Sequence, residues 1–252
     1  MSFELILHLI IDVAVTLLIL YIILKHTREA EKFYNESRLE WIQQHKNDKK
    51  LEEKLETYHL LCKLDKVCLI GVGGGGCNIL EDIAKFDNRH KFIHINSDLQ
   101  ALELKTSKHK ILLGFEKKVG LGCGGKEQCG QSLIDDDIKN QLLKLTKDEK
   151  IVYIISTLGG GVGSGATPEV VEYLKTLDKE IIVFTIMPFA FEGKIKLSIA
   201  SNAISKILSS TVAVIILNND ELILNANSES TGFRETFKAA SNVVYKRIAD
   251  GI

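Results

Sequence analysis

The chain has 252 residues, of which 45% are hydrophobic and 26% charged, so it can bury the core of an ordinary globular domain. Its formal net charge is -1, and this lack of a basic excess excludes nucleic acid as an expected partner. The five cysteines are odd in number and form no CxxC pair. This usage is typical of reduced thiols in a cytosolic protein, and it predicts no metal site built from cysteines.

Residues 1–24 are the first distinct segment, and we interpret them as a transmembrane anchor. The apolar run from Leu5 to Leu24 is interrupted by few polar residues, the acidic Asp12 among them. Twenty helical residues reach about 30 Å, which is the thickness of a bilayer core. No basic residue precedes the run, whereas a basic cluster begins at Lys25. The charge bias therefore predicts a single-pass membrane protein whose C-terminal part is cytoplasmic.

Residues 25–65 follow as a strongly charged segment in which basic and acidic residues alternate. A sparse apolar set recurs at helical spacing, and its members are Leu51, Leu55, Tyr58 and Cys62. This pattern predicts an exposed helical stalk with one narrow apolar seam. The alternative is a short coiled coil that pairs two copies of the chain.

An α/β domain is predicted for residues 66–252, and it begins with a glycine-rich motif. The apolar residues from Val67 to Ile70 run directly into the glycine-rich stretch from Gly71 to Gly76. Apolar residues then resume at helical spacing from Ile79. A buried strand, a glycine loop and a helix N-terminus in this order form a cradle of backbone N–H groups that can bind phosphate.

Apolar runs and helical patterns alternate along the rest of the domain. The predicted strands after the first are 91–96, 110–113, 151–156, 181–186 and 212–217, and the predicted helices between them are 79–86, 132–145, 168–177 and 195–208. Strands that are almost wholly apolar are buried on both faces. The predicted fold class is therefore α/β, with a doubly wound and mostly parallel sheet that binds ligands at the carboxyl ends of its strands.

Two more glycine-rich loops follow predicted strands, at 120–130 and at 159–165. The second opens a helix, and we predict Pro168 as the first helical residue. Helix N-termini behind such loops bind anions through backbone N–H groups. The stretch 120–126 nearly matches a Walker-type phosphate loop, but Glu127 stands where that motif needs a hydroxyl for the metal, so we exclude it.

The run from Gly71 to Gly76 also satisfies the dinucleotide-binding pattern GxGxxG, which is a weak signal because any such glycine run does so. Asp98, near the end of the second predicted strand, could be the acidic residue that binds a ribose in such proteins. An NAD-binding Rossmann oxidoreductase therefore remains an alternative. That alternative does not account for the glycine loops at 120–130 and 159–165.

Seven motifs follow one another along the domain. They are GVGGGGCN, INSDLQAL, VGLGCGGKEQCGQ, LGGGVGSGATP, MPFAFEGK, ILNNDELI and TFKAASNVV. In their order and spacing they resemble the nucleotide-binding GTPase domain of the FtsZ/tubulin family, from about Lys66 to the end of the chain. The resemblance implies GTP binding on the face that these loops form. It also implies head-to-tail polymerisation, in which a neighbouring subunit completes the hydrolysis site.

The resemblance further implies which residues contact the nucleotide. The phosphate-loop residues are Gly73, Gly74, Gly75, Cys77 and Asn78, and those beside the terminal phosphate are Gly122, Cys123, Gly124 and Gly125. The signature loop contributes Gly159, Gly160, Gly161, Val162, Gly163, Ser164 and Gly165. The remaining positions are Glu192 at the ribose, Lys196 in the place of an arginine, Asn219 at the base, Phe237 against the purine and Ser241 where the family reads guanine. No catalytic residue is implied.

Several of these positions depart from the family pattern. Val162 replaces a threonine and so removes a hydroxyl near the phosphates. Lys196 keeps the charge of the usual arginine but loses its planar fork. Ser241 and Asn242 replace an Asn-Asp pair, which weakens the expected selection of guanine over adenine. The sequence stops at Ile252, so the resemblance implies that the family's catalytic acid and second domain would lie beyond it.

These features lead to three hypotheses about function. The first is a membrane-anchored protein that binds GTP or GDP with Mg²⁺, tethers or caps filaments of a full-length FtsZ-type partner in cell division, and hydrolyses GTP weakly or with that partner's help. The second is an autonomous cytoskeletal GTPase that associates with its own copies. The third is the NAD-binding oxidoreductase.

Overall fold

The computed structural model of the chain describes residues 67–114, 122–210, 213–225 and 233–249. The predicted anchor at 1–24 and the predicted stalk at 25–65 lie outside these residues. Among the helices that are described, none is both long and apolar enough to cross a bilayer. By their contacts, the sheet and its flanking helices form one compact unit, whereas the short segment Ala190–Lys194 belongs to another.

Strands and helices alternate through the described residues. The strands are β1 (Cys68–Val72), β2 (Lys91–Asn96), β3 (His109–Leu112), β4 (Ile151–Thr157), β5 (Glu180–Met187) and β6 (Ala213–Asn218). The helices are α1 (Gly73–Phe86), α2 (Leu99–Glu103), α3 (Glu127–Ser132), α4 (Asp136–Thr146), α5 (Gly161–Thr176), α6 (Lys194–Ser210), α7 (Asn219–Asn225) and α8 (Phe233–Ala249), and a 3-10 turn spans Ala190–Glu192.

The six strands form one sheet in the order β3-β2-β1-β4-β5-β6. Every neighbouring pair is parallel; in the centre, for example, Ile70 of β1 is in register with Ile93 of β2 and with Ile154 of β4. The predicted doubly wound α/β sheet is therefore confirmed. The strand order reverses between β1 and β4, and ligands of such sheets bind at the carboxyl ends of the strands at this point.

Alternate residues of the strands fill two separate hydrophobic cores, one on each face of the sheet. In β1, Ile70 faces the core that α4, α5 and α6 cover, whereas Leu69 faces the core beneath α1 and α8. In β4, Ile154 and Tyr153 divide between the two cores in the same way. Burial on both faces explains why these strands are continuous apolar runs in the sequence.

Helix starts are where the sequence predictions differ most from the structure. Helix α1 begins at Gly73 rather than at Ile79, and α5 begins at Gly161, so Pro168 lies inside the helix instead of starting it. The predicted helix at 132–145 corresponds to α4, which begins only at Asp136 because the Asp135 side chain caps it by accepting a hydrogen bond from the N–H of Ile138. Sequence patterns also missed the short helices α2, α3 and α7. Parts of two glycine runs predicted as loops, from Gly73 and from Gly161, thus form first helical turns.

His94 is a buried polar residue in the centre of β2. It is fully buried, neither ring nitrogen has a hydrogen-bond partner within the described part of the chain, and Glu81 Oε2 lies 3.6 Å from Nε2. Burial lowers the pKa of His94 from 6.5 to about 4, and the nearby Glu81 carboxylate only partly opposes this shift. Between pH 4 and 6.5 the unfolded chain therefore binds a proton at this site that the folded chain does not bind.

We expect the free energy of unfolding to fall by about 2 kcal/mol between pH 7.5 and pH 5 because of His94. Urea unfolding at the two pH values measures the difference. His94→Leu removes the titrating group and should flatten most of this slope. A smaller slope should remain in the variant, since burial also lowers the pKa of His90. An equal slope in the variant and the parent would contradict the assignment to His94.

Candidate functional site

The first and fourth strands end side by side at the point where the strand order reverses. Helix α1 begins directly after β1, and α5 begins after the short turn that follows β4. The two helix N-termini touch: a Cβ atom at Gly73 would lie 2.9 Å from the backbone nitrogen of Gly163. The sheet therefore brings the first and the last predicted glycine loops together at one edge.

The first turn of α1 packs directly against the end of β4. A Cβ atom at Gly76 would collide with the carbonyl oxygen of Ile155, and one at Gly75 would collide with the Thr157 side chain. Gly73 also has a φ of 76°, which side chains rarely tolerate. Glycine at these positions is explained by helix–strand packing and backbone conformation.

Among the residues that the structure describes, nothing of this kind explains two other glycines. A Cβ atom at Gly74 or at Gly160 would meet no atom within 4 Å, and neither residue has a positive φ. Both lie where the N-termini of α1 and α5 meet. Alanine would fit the folded chain at both positions and would restrict the unfolded chain more. Space left open at both positions is what a ligand lying against the backbone would require.

At the N-termini of α1 and α5, neither a side-chain cap nor an acidic residue of the first turn neutralises the positive helix dipole. Their cap residues, Val72 and Gly160, make no side-chain capping hydrogen bond, and neither first turn carries an acidic residue. Elsewhere the chain does cap its helices, with Asp98 at α2 and Asp135 at α4. Uncapped, acid-free N-termini present N–H groups and positive helix dipoles, which an anion such as phosphate would complete.

Ser164 fixes the turn that precedes α5. Its Oγ accepts a hydrogen bond of 2.8 Å from the N–H of Gly159, a buried residue with a φ of 91°. Behind it, the Thr167 hydroxyl donates to Ser156 Oγ at 2.9 Å, and that hydroxyl in turn donates to the carbonyl of Gly163. Ser164 was predicted as part of the signature loop at the nucleotide, and its hydroxyl is engaged in shaping that loop.

Ser164→Ala should destabilise the chain by about 1 to 2 kcal/mol, because the buried Gly159 N–H loses its acceptor. Thermal or urea unfolding gives the value. Ser209→Ala is the matched control, because Ser209 is exposed on α6 and bonds only to its own helix. We expect the control to remain within about 0.5 kcal/mol of the parent. Equal effects of the two substitutions would contradict the role assigned to Ser164.

The third loop, residues 122–126, lies against the N-terminus of α5. The N–H of Gly122 donates to the carbonyl of Ser97 at 3.3 Å, and a Cβ atom at Gly161 would lie 2.8 Å from Cys123 Cβ. Gly124 and Gly125 are exposed, have positive φ and would meet nothing within 4 Å. All three predicted glycine loops therefore converge on one edge of the sheet.

Cys123 and Cys129 form a disulfide in this structure, with their Cα atoms 5.6 Å apart. The expectation that all cysteines are reduced thiols is therefore wrong for this pair. The physical reason is the turn into α3, in which the Cys129 N–H donates to the carbonyl of Lys126 and brings Cys129 back towards Cys123. Sequence spacing alone gave no sign of this turn.

Other predicted site residues turn their side chains into the protein. The Cys77 thiol donates to the carbonyls of Gly71 and Ile95, and burial raises its pKa to about 12. Val162 is buried in the core beneath α5, where a hydroxyl would need a partner. The missing threonine hydroxyl is therefore replaced by apolar packing, and any contact of Cys77 or Val162 with a ligand would go through their backbone.

The predicted base-side residues lie on α7 and α8. Asn219 follows β6 directly and is buried, and its Oδ1 has no hydrogen-bond partner among the described residues. Phe237 packs at the edge of the core beneath α8. The Ser241 hydroxyl donates to the carbonyl of Phe237, one turn earlier in the same helix. Asn219 therefore retains a free acceptor for a base, whereas the hydroxyl of Ser241 is engaged.

Lys196 and Asn78 lie at the margins of the site, and Glu192 belongs to a different compact unit. Lys196 is in the first turn of α6, and its Cβ would be 3.3 Å from a Cβ atom at Gly159. Asn78 Oδ1 accepts a hydrogen bond of 2.5 Å from Lys105 Nζ, a partner that the sequence patterns did not indicate. Glu192 lies in the 3-10 turn Ala190–Glu192, outside the compact unit that holds the sheet.

Two residues after β2, Asp98 and Ser97, concern the NAD-binding alternative and a polar group that was not predicted. The Asp98 carboxylate accepts the N–H of Ala101 and so caps α2, which engages the group that a dinucleotide ribose would need. Ser97 was not among the predicted contacts; it is fully buried, and its Oγ has no partner in the described part of the chain. Its place in the polar loop after β2 was the available sequence signal. Within that part of the chain no cluster of metal-binding side chains is present.

Comparison with known proteins agrees with this arrangement. Residues 66–227 match the family described as Tubulin/FtsZ family, GTPase domain. The cell division protein FtsZ of Helicobacter pylori (strain ATCC 700392 / 26695) is 30% identical over 186 residues, which cover 73% of this chain and 48% of that protein. FtsZ of Neisseria meningitidis serogroup A is 31% identical over 182 residues, 72% of this chain and 46% of that protein. The chain thus spans about half the length of these relatives.

Solved structures show the same fold. An empty FtsZ dimer from M. jannaschii superposes with a TM-score of 0.67 at 26% identity, covering 79% of this chain and 57% of that one. CetZ2 from Haloferax volcanii, solved as a GTPγS-bound protofilament, superposes with a TM-score of 0.66 at 23% identity, covering 73% and 57%. Because the family match includes all three glycine loops at the sheet edge, the chain belongs to the Tubulin/FtsZ family of GTPase domains, as a distant homologue of FtsZ.

Proposed function

We propose that the chain binds GTP or GDP at the edge where β1 and β4 end, with the phosphates at the N-termini of α1 and α5. The observation that supports this most directly is that the two N-termini touch, lack caps and lack acidic residues. Family membership points to a guanine nucleotide rather than NAD. The free Oδ1 of buried Asn219 gives the site an acceptor for a base.

The accompanying cation in this proposal is Mg²⁺. In the described residues no set of three or more acidic, histidine or cysteine side chains forms a metal cage. Mg²⁺ keeps several waters and is commonly held by substrate phosphates with one or two protein oxygens. The phosphates would therefore be its principal ligands here, and the ion would neutralise charge that the uncapped N-termini leave uncompensated.

At the level of the cell, we propose a single-pass membrane protein that tethers or caps filaments of a full-length FtsZ-type partner in division. The apolar segment at 1–24 supports the membrane part, and similarity to the cell division protein FtsZ supports the partner. The GTPγS-bound protofilament of CetZ2 shows that a protein of this fold assembles end to end. Hydrolysis of GTP would then be weak or dependent on the partner.

The nucleotide proposal is tested with the full chain purified in detergent. Denaturation releases any co-purified nucleotide, whose mass identifies the base and the number of phosphates. A fluorescent GDP added to nucleotide-free chain should bind, and GTP should displace it, whereas NAD should not. Displacement by NAD and not by GTP would support the oxidoreductase, and no binding of either nucleotide would refute the site.

The partner proposal needs filaments of a full-length FtsZ. The full chain in vesicles, added at an equimolar ratio, should shorten those filaments or recruit them to the vesicles. Filaments of unchanged length that remain in solution would contradict tethering and capping. Steady phosphate release by this chain alone, rising steeply with its concentration, would instead support an autonomous GTPase that assembles with its own copies.

A further inference from the structure

The Cys123–Cys129 disulfide connects two parts of the nucleotide edge that are held in different ways. Cys129 belongs to α3, which is fixed on α5 because a Cβ atom at Gly130 would collide with the carbonyl oxygen of Gly161. Cys123 belongs to the loop at 122–126, and it is buried against the first residue of α5. The bond therefore ties the loop to a rigid helix.

Without that bond, few interactions would hold the loop. Gly122, Gly124 and Gly125 have φ values of 84°, 54° and 78°, and a Cβ atom at any of them would meet no atom of the described chain within 4 Å. The described backbone hydrogen bonds of the loop run from Gly122 N–H to the Ser97 carbonyl, from Lys126 N–H to the Cys123 carbonyl and from Cys129 N–H to the Lys126 carbonyl. A chain of glycines with so few contacts has high conformational entropy unless it is cross-linked.

We propose that Cys123 and Cys129 form a redox modification site that controls nucleotide affinity. The inference rests on the proposed function, because it concerns the loop that lies beside the phosphates there. In the oxidised form the loop is already ordered against the α5 N-terminus. In the reduced form the loop must become ordered when the nucleotide binds. Preorganisation of a binding loop reduces the ordering cost of association. Reduction should therefore weaken nucleotide binding about three- to tenfold.

The exchange partner is a small thiol–disulfide couple of the glutathione type. A thiolate of the reductant attacks Cys129 Sγ, which is the less buried sulfur, and the bond to Cys123 breaks. Cys123 leaves as a thiolate and takes up a proton, while Cys129 is joined to the reductant. A second thiol then displaces Cys129 as a thiol. Two reductant thiols are thereby oxidised to one disulfide, and the reverse sequence reforms the protein bond.

The other described cysteines are unsuited to compete in this exchange. Cys68 and Cys77 are buried on β1 and α1, and burial raises the pKa of each to about 12. Almost none of either thiol is in the reactive thiolate form at neutral pH. Pairing within the described chain is therefore confined to Cys123 and Cys129.

The first measurement reports the bond itself. The full chain is equilibrated with oxidised or reduced glutathione, free thiols are alkylated, and the denatured protein is digested with trypsin. Cleavage after Lys126 separates the two cysteines, so their peptides remain joined only if the disulfide exists. We expect joined peptides after oxidation and, after reduction, two separate peptides that are each alkylated at their single cysteine. Separate peptides under both conditions would overturn the redox site whatever the chain binds.

The second measurement is the affinity for fluorescent GDP in the two redox states. The oxidised full chain should bind three- to tenfold more tightly than the reduced one. Cys129→Ala should bind like the reduced parent in both states, and circular dichroism establishes that the variant is folded. Equal affinities of the two parent states would overturn the inference and leave the proposed function intact. No binding in either state would refute the proposed function, while the peptide pattern still decides whether the bond exists.

Discussion

Gly74→Ala should weaken the binding of GTP to the full chain between tenfold and a hundredfold while leaving its stability unchanged or slightly higher. The added Cβ meets no atom of the described residues within 4 Å, so we expect no loss of folding free energy. Alanine also restricts the unfolded chain, which favours folding by about 0.4 to 1 kcal/mol. A phosphate seated against this backbone would collide with the methyl group, and such overpacking costs about 1 to 3 kcal/mol.

Gly76→Ala is the matched control, since it lies in the same helical turn and makes the same chemical change. Its Cβ would collide with the carbonyl oxygen of Ile155, which belongs to the rigid centre of the sheet. We expect this variant to lose about 3 kcal/mol of stability. Thermal unfolding and displacement of fluorescent GDP, measured on both variants, separate an effect on the ligand from an effect on the fold.

The two variants are expected to differ in both stability and nucleotide affinity, so the measurements can contradict the proposed phosphate site. A Gly74→Ala chain that binds GTP as tightly as the parent would show that no ligand approaches this position, and the phosphate site would have to lie elsewhere. A Gly74→Ala chain that loses stability like Gly76→Ala would show that the space beside Gly74 is occupied by the protein itself. Either outcome would contradict the placement proposed for the phosphates.

The sheet was predictable from the sequence because a strand that is buried on both faces is a continuous run of apolar residues. The run KFIHIN, for instance, coincides with β2 at Lys91–Asn96. Glycine runs directly after such strands indicated the edge where the loops converge, because parallel strands end at a common edge of the sheet. The α/β class, the parallel sheet and the convergence of the loops are thus consequences of local patterns, whereas the strand order β3-β2-β1-β4-β5-β6 was given only by the structure.

The role of each residue within the edge was not predictable in this way. A glycine with open space beside it, such as Gly74, and one that lets two backbones pack, such as Gly163, look identical in a sequence. Only the atoms that surround an absent Cβ distinguish them. Ser241 and Cys77 illustrate the same limit, because their polar atoms bond to the protein backbone at distances that no sequence spacing reveals.

The disulfide between Cys123 and Cys129 was not predicted from the sequence, for a different reason. A pattern search tests for CxxC pairs, whereas this pair depends on a glycine turn that folds the chain back before α3. The short helices α2 and α7 were missed because they follow their strands almost immediately. Their starts are set by local groups such as the Asp98 cap, which overlap with the signals of a turn.

Gly165→Ala should cause the largest loss of stability among the signature-loop glycines, about 3 kcal/mol or more. Its Cβ would collide with the carbonyl oxygen of Glu127, and the backbone nitrogen of Gln131 would be 2.8 Å away. Both groups belong to α3, and neither is a flexible side-chain end. The variant can relieve the clash only by moving α3 off α5, which opens the core beneath them.

The displacement of α3 in Gly165→Ala should also change the affinity for the nucleotide. Gly130 makes the reciprocal contact with Gly161, and α3 carries Cys129, which is bonded to the loop at 122–126. Helix and loop should therefore move together, so Gly165→Ala should weaken GDP binding as well as stability. Gly160→Ala is the stability control, because its Cβ has open space on the same segment. Urea unfolding should show a large difference between the two variants; equal stabilities would mean that the α3–α5 contact does not hold the loop in place.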